Sequence, residues 1–112
     1  MIIKRGNIYL AVLDPTVGSE INKTRPVIVV SNNINNQFGN TVTIIPLTSN
    51  TEKIYPFEVF IKHNIANLPK DSKAKADQIR TIDKARIIKE IGMLPKELLS
   101  DIEVAIKTHL NF

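Results

Sequence analysis

A change of apolar period about two-thirds of the way along this chain limits its fold more than any other feature. In the first part apolar residues come in short β-branched or alternating runs, the pattern of strands. Asn7 to Leu13 carries Ile8, Tyr9, Leu10 and Val12 between Gly6 and the turn pair Asp14-Pro15. Pro26 to Ser31 holds Val27-Ile28-Val29-Val30, an unbroken apolar run that predicts a strand buried on both faces, with Pro26 at its first position, where a missing N–H is tolerated. Thr41 to Leu47 sets Val42 and Ile44 against Thr41 and Thr43, and Pro46 should interrupt the ladder near its end. Phe57 to Lys62 places Phe57, Val59 and Ile61 on one side. Ser72 to Arg80 reads as a strand with small residues on one face, ending in Gln78 and Arg80.

After Pro95 the period changes. Leu98, Leu99, Ile102, Ala105, Ile106 and Leu110 form a helical stripe, so Lys96 to about His109 is an amphipathic helix. Lys84 to Ile91 reads as a shorter helix ending near Gly92. Several short strands followed by a helix make a mainly β fold, a small antiparallel barrel or half-barrel closed by that helix. No repeat or linker divides the chain, and 112 residues suit a single domain spanning 1–112.

Composition narrows the function classes. No apolar run approaches the roughly 20 residues of a membrane span, and the N-terminus has no secretory pattern. The absence of cysteine excludes disulfides and thiol chemistry and fits a reducing cytoplasm. A net charge of +4 leans towards an anionic partner.

The connection from Asp14 to Thr24 is longer than an ordinary hairpin loop, so it is either functional or mobile. Arg25 follows it and precedes Pro26, which drives Arg25 towards an extended backbone. Its guanidinium therefore leaves a defined point at a strand's start, where it can bind a phosphate through two hydrogen bonds. Leu47-Thr48-Ser49-Asn50-Thr51 gathers hydroxyls and amides that either cap turns or donate to phosphate oxygens. Nothing brings His63 and His109 together as an acid–base pair, and the carboxylates are too scattered to hold magnesium. Cleavage of a nucleic acid by this chain would rest on arginine and hydroxyl groups, with no metal and no cofactor.

At these residues the chain resembles a known family. Lys4-Arg5-Gly6-Asn7-Ile8-Tyr9, Asp14-Pro15, Val17-Gly18-Ser19-Glu20 and Arg25-Pro26-Val27 look like the N-terminal signature of MazF/PemK-like toxins. Leu47-Thr48-Ser49 and Asp77-Gln78-Ile79-Arg80-Thr81-Ile82-Asp83-Lys84 match the family's other blocks in order and spacing. The resemblance implies an SH3-like β-barrel with a C-terminal helix, of the MazF/CcdB toxin type and usually a homodimer. It implies cleavage of single-stranded RNA at short motifs, restrained by a cognate antitoxin whose C-terminal segment covers the RNA groove. Motif by motif, Arg25 and Thr48 take the catalytic positions. Ser19, Glu20, Asn32, Ser49 and Gln78 fall where family members contact substrate or support the site.

Two departures stand out. Lys73 and Lys75 occupy places where some members carry bulky apolar residues, and the reading adopted for them is an exposed edge strand, where lysine discourages aggregation. The stretches Asn50–Pro56 and Lys62–Asp71 match no family motif. Two other readings compete: a CcdB-like poison of DNA gyrase on the same barrel, to which the ending His109-Leu110-Asn111-Phe112 lends slight support, and a plain SH3-like binding module.

Overall fold

Val27, Ile28 and Val29 are each fully buried, so this half of the chain's second strand has no solvent face. The computed structural model describes all residues from Met1 to Phe112. Its elements are β1 (Asn7–Val12), β2 (Thr24–Val29), α1 (Asn33–Phe38), β3 (Thr41–Thr48), β4 (Glu58–Ile61), β5 (Ser72–Lys75), β6 (Arg80–Asp83), β7 (Ile87–Met93) and α2 (Lys96–Leu110). The strands form one antiparallel sheet in the order β4-β5-β3-β2-β1-β7, with β6 beside the first half of β3. The mainly β fold with a C-terminal helix is thus as the sequence predicts. Its hydrogen-bonded path stays open between β4 and β7. α2 packs on β4, and the turn Ile65–Asn67 packs against β7.

The two-residue alternation sorts the core into two clusters, one on each face of the sheet. Ile8, Ile28, Ile45 and Leu47 join Val59, Ile61 and Ala74 under Ile102 and Ala105 of α2. Tyr9, Ala11, Val27, Val29, Val42, Ile44 and Ile82 make the second cluster. β2 and β3 contribute to both, which is why their sequences are apolar almost throughout. α2 spans one residue more than expected and ends at Asn111, whose left-handed backbone (φ 61°) lets its N–H bond to the Lys107 carbonyl at 2.8 Å.

Four expectations need correction. β3 runs one residue past the expected end at Leu47, because Leu47 and Thr48 find new partners in Ala74 and Lys73 of β5. The predicted strand Ser72–Arg80 breaks into β5, a 3₁₀ turn at Ala76–Gln78, and β6. That turn passes the stretch of β3 around Ile45 and Pro46, where the proline has no N–H for a ladder. The segment Lys84–Ile91, read as a helix, is a 3₁₀ turn at Lys84–Arg86 followed by β7. Register shifts against β1 at Ile8/Tyr9 and at Leu10/Ala11 insert extra residues into β7 and erase the period of two. Finally, α1 is a six-residue helix that sequence periodicity did not reveal.

Gly92 shows what the absence of a side chain permits at this sheet edge. A Cβ there would lie 2.2 Å from the Ala66 carbonyl oxygen, a backbone atom that cannot swing aside. The left-handed residues Asn64, Ala66 and Asn67 bend that loop onto β7, and Asn67 Nδ2 donates to the Ile91 carbonyl at 3.1 Å. Gly92→Ala is expected to destabilise the fold by about 3 kcal/mol, an overpacking cost, and to lower the midpoint of a urea melt. An unchanged midpoint would mean that the loop does not bear on the strand.

Candidate active site

β2 and β3 pair with Val27 opposite Pro46 and Ile28 opposite Ile45. Carried two residues further, the same register sets Arg25 level with Thr48. Both line one pocket of about 230 Å³ at the strand ends, together with Ser49 and with Leu68, Pro69, Lys70 and Ser72. Arg25 Nε donates to the Asn22 carbonyl at 3.0 Å, which fixes the guanidinium against the preceding loop. Its two terminal nitrogens have no hydrogen bond within the chain, and no carboxylate lies within ion-pair distance. Thr48 Oγ1 accepts the Asn50 N–H at 3.3 Å, which leaves the hydroxyl proton free to donate. A charged fork and a neutral donor thus converge on one concavity, an arrangement suited to a phosphate.

The connection between β1 and β2 is pinned rather than loose. Leu13 N–H bonds to the Lys23 carbonyl at 2.8 Å, closing its base. Glu20 Oε1 accepts the Val17 N–H at 2.8 Å and tightens its tip. Gln78, on the 3₁₀ turn after β5, holds the loop with both ends of its amide. Its Oε1 accepts from Ile21 N at 3.1 Å and its Nε2 donates to the Ser19 carbonyl at 3.2 Å. Glu20 and Gln78 line a second pocket with Arg80, while Ser19 is exposed at the loop's tip.

Asn32 stands elsewhere, in a third pocket beside Ser31 and Ile79. Its side-chain carbonyl accepts the Asn35 N–H at 2.8 Å and caps α1. The two histidines lie apart: His63 pairs with Asp71, and the His109 ring packs on Phe57. No three His, Asp or Glu side chains converge anywhere in the chain.

Residues 4–110 match the family model described as the PemK-like, MazF-like toxin of type II toxin-antitoxin systems. The chain belongs to this family. Among relatives of this toxin, Endoribonuclease MazF9 of Mycobacterium tuberculosis is 38% identical over 115 residues, with 98% of each chain covered. Endoribonuclease EndoA of Bacillus subtilis is also 38% identical, over 98% of this chain and 96% of its own. Solved structures agree on the fold. MazF of Deinococcus radiodurans superposes with a TM-score of 0.88 over 100% of this chain and 99% of its own, at 22% identity. A mycobacterial endoribonuclease in complex with its cognate antitoxin superposes with a TM-score of 0.81 over 98% and 96%, at 24% identity.

The toxin's Lys73 and Lys75 do not sit on an exposed edge. β5 lies between β3 and β4, and Lys73 is buried directly across from Thr48. The reason is a fully buried carboxylate on β4. Glu58 Oε1 accepts from Lys73 Nζ at 3.1 Å and Oε2 from Lys75 Nζ at 2.9 Å. Lys73 also donates to the Lys53 carbonyl at 2.7 Å, and Tyr55 N–H bonds to Glu58 at 2.9 Å. The cluster therefore ties down the stretch that follows Thr48 and Ser49. Burial by itself would push the Glu58 carboxyl up; the Tyr55 N–H and the two lysines outweigh it and hold the group below the usual carboxylate range.

The pocket's second side, including Lys70 and Ser72, escaped sequence reasoning because that segment matches no motif and meets Arg25 only in the folded chain. Two outcomes test these contacts in the toxin. Gln78→Leu leaves the Ile21 N–H and the Ser19 carbonyl without partners, at a cost of about 1 kcal/mol. The amides of the β1–β2 loop should then exchange faster by about fivefold, and unchanged protection at Ile21 would refute the pinning role. Because its folded pKa is depressed, Glu58 contributes stability that is complete above the ordinary glutamate value, about 4.3. That contribution is lost as pH falls towards the lower folded value. Glu58→Gln should cost about 3 kcal/mol at pH 7 and flatten the acid limb of the stability–pH curve. A variant with the wild-type acid limb would contradict this.

Proposed function

We propose that this toxin is an endoribonuclease that cuts single-stranded RNA at short sequence motifs by transesterification, using Arg25 and Thr48 and requiring neither metal nor cofactor. The observation that carries the reading is the unpaired guanidinium of Arg25 beside the free hydroxyl of Thr48 in one pocket. In the reaction the RNA's own 2′-oxygen gives up its proton to water and bonds to the adjacent phosphorus. The bond from phosphorus to the 5′-oxygen breaks, and that oxygen takes a proton from water. The products are a 2′,3′-cyclic phosphate and a 5′-hydroxyl. Arg25 binds the non-bridging oxygens and offsets the charge that builds on them, while Thr48 donates to the same phosphate and orients it. Arginine stays charged throughout, so its part is electrostatic.

Ser49 lines the same pocket and is assigned to substrate contact. Ser19, Glu20 and Asn32 are assigned to contacts with flanking nucleotides. Gln78 acts by shaping the loop, since both ends of its amide are engaged. Bases of single-stranded RNA are read at their exposed edges, which suits the loop amides here. The chain is read as one toxin domain acting in the cytoplasm as a homodimer, with no helix long and apolar enough to cross a membrane. Its partner is a cognate antitoxin whose C-terminal segment covers the RNA groove. The mycobacterial endoribonuclease solved with its own antitoxin supports that partner. Relatives named as endoribonucleases favour this reading over gyrase poisoning.

The test is incubation with a long single-stranded RNA in EDTA, followed by mapping of the ends. Discrete cuts with 5′-hydroxyl ends are expected, and none in DNA, which lacks the attacking group. Arg25→Ala should lower the rate by at least about 100-fold while the melting temperature stays near that of the wild type. Wild-type cleavage by that variant would sink the assignment.

A further inference from the structure

We propose that Lys70 is a second cationic ligand of the scissile phosphate, reaching it from the Leu68–Ser72 side of the pocket while Arg25 holds it from the β2–β3 side. The inference rests on the endoribonuclease reading and adds a residue to it. Among the residues that line the Arg25 pocket only two are charged, Arg25 and Lys70, and both are cations. No acidic side chain lines it, so nothing inside neutralises either charge. Elsewhere in the fold the buried Lys73 and the half-buried Lys75 are engaged, and both serve Glu58. The Lys70 ammonium has no hydrogen bond or ion pair within the chain, and its side chain is exposed.

Its backbone, by contrast, is held on both sides. Pro69 restricts the preceding φ. Ser72 Oγ donates to the Lys70 carbonyl at 3.0 Å. Asp71 Oδ1 accepts the His63 N–H at 2.9 Å and meets His63 Nδ1 at 2.7 Å, so the one carboxylate beside Lys70 in sequence is already occupied. These bonds hold the Asp71 carboxyl below its ordinary value. A free ammonium on a fixed stretch of backbone at the rim of a phosphate-sized pocket is a preorganised cation.

The chemistry needs such a charge. A phosphodiester carries one negative charge, and attack by the 2′-oxygen drives its two non-bridging oxygens towards two. A single guanidinium offsets half of that. An ammonium, a compact point charge, makes its largest contribution where the extra charge develops, in the transition state. Lys70 moves no proton in this scheme.

The experiment measures kcat and KM of the full chain on a short single-stranded RNA carrying one cut site, for the wild type, Lys70→Met, Lys70→Arg and Arg25→Ala. Lys70→Met should lower kcat by about 100-fold with KM within about threefold, as expected for an interaction made mainly in the transition state. The slope of log binding against log salt should fall by about 0.7, the signature of one lost contact to a single-strand phosphate. Lys70→Arg should regain most of the rate, because it restores the charge. Since the side chain makes no hydrogen bond or ion pair within the chain, the melting temperatures should coincide. Wild-type kcat in Lys70→Met beside an inactive Arg25→Ala would overturn the role of Lys70 alone. A Lys70→Arg variant as slow as Lys70→Met would overturn the charge argument. A wild-type protein that cuts no single-stranded RNA would overturn the endoribonuclease reading itself, and this inference with it.

Discussion

Everything at the candidate active site depends on how β2 pairs with β3. The register Val27–Pro46, Ile28–Ile45, Val29–Ile44 is held because both faces of both strands are buried. A slip of one residue would exchange the two faces and send Ile28 and Ile45 out of the α2 cluster. That penalty, spread over several large side chains, makes the alignment of Arg25 with Thr48 a consequence of core packing. The site itself need supply little energy to assemble. The groups proposed as catalytic stand at the ends of two rigid strands and so keep their separation.

The same sheet face changes character along its width. At β1, β2 and the start of β3 it carries Tyr9, Val27, Val29 and Ile44, and at β5 and β4 it carries Lys73, Lys75 and Glu58. Thr48 lies where the two regimes meet, with Lys73 across from it. The buried carboxylate is satisfied on both oxygens, by two ammonium groups and one backbone N–H, the condition under which burying a charge is tolerable. One of those ammonium groups reaches back to the Lys53 carbonyl, so the ion cluster also orders the chain that leaves β3.

Loop control follows a similar logic. Gln78 spans from the 3₁₀ turn after β5 to the β1–β2 loop, and Asp71 closes the 63–71 loop through His63. In both cases a polar side chain, distant in sequence for Gln78 and local for Asp71, stands in for the ladder bonds a loop lacks. Family membership adds the context of a toxin that belongs to a type II toxin-antitoxin system.

Much of the fold was legible in the sequence, because β2, β3, β4 and α2 bury whole faces and burial leaves a period in the residue order. β7 was misread as a helix, since two register shifts destroy its alternation, and α1 is too short to show a period. Arg25 was legible from its place before Pro26 after a long loop, and Thr48 through the family motif. Lys70 and the Glu58 cluster were not, nor was the use of Gln78 as a tether rather than a free contact. Local order therefore determined by itself the strands β2, β3 and β4, the helix α2, the buried run Val27–Val29 and the case for Arg25. Tertiary structure alone decided which lysine is buried and which stands free at the pocket, because charge pairing depends on neighbours that only the sheet order brings together.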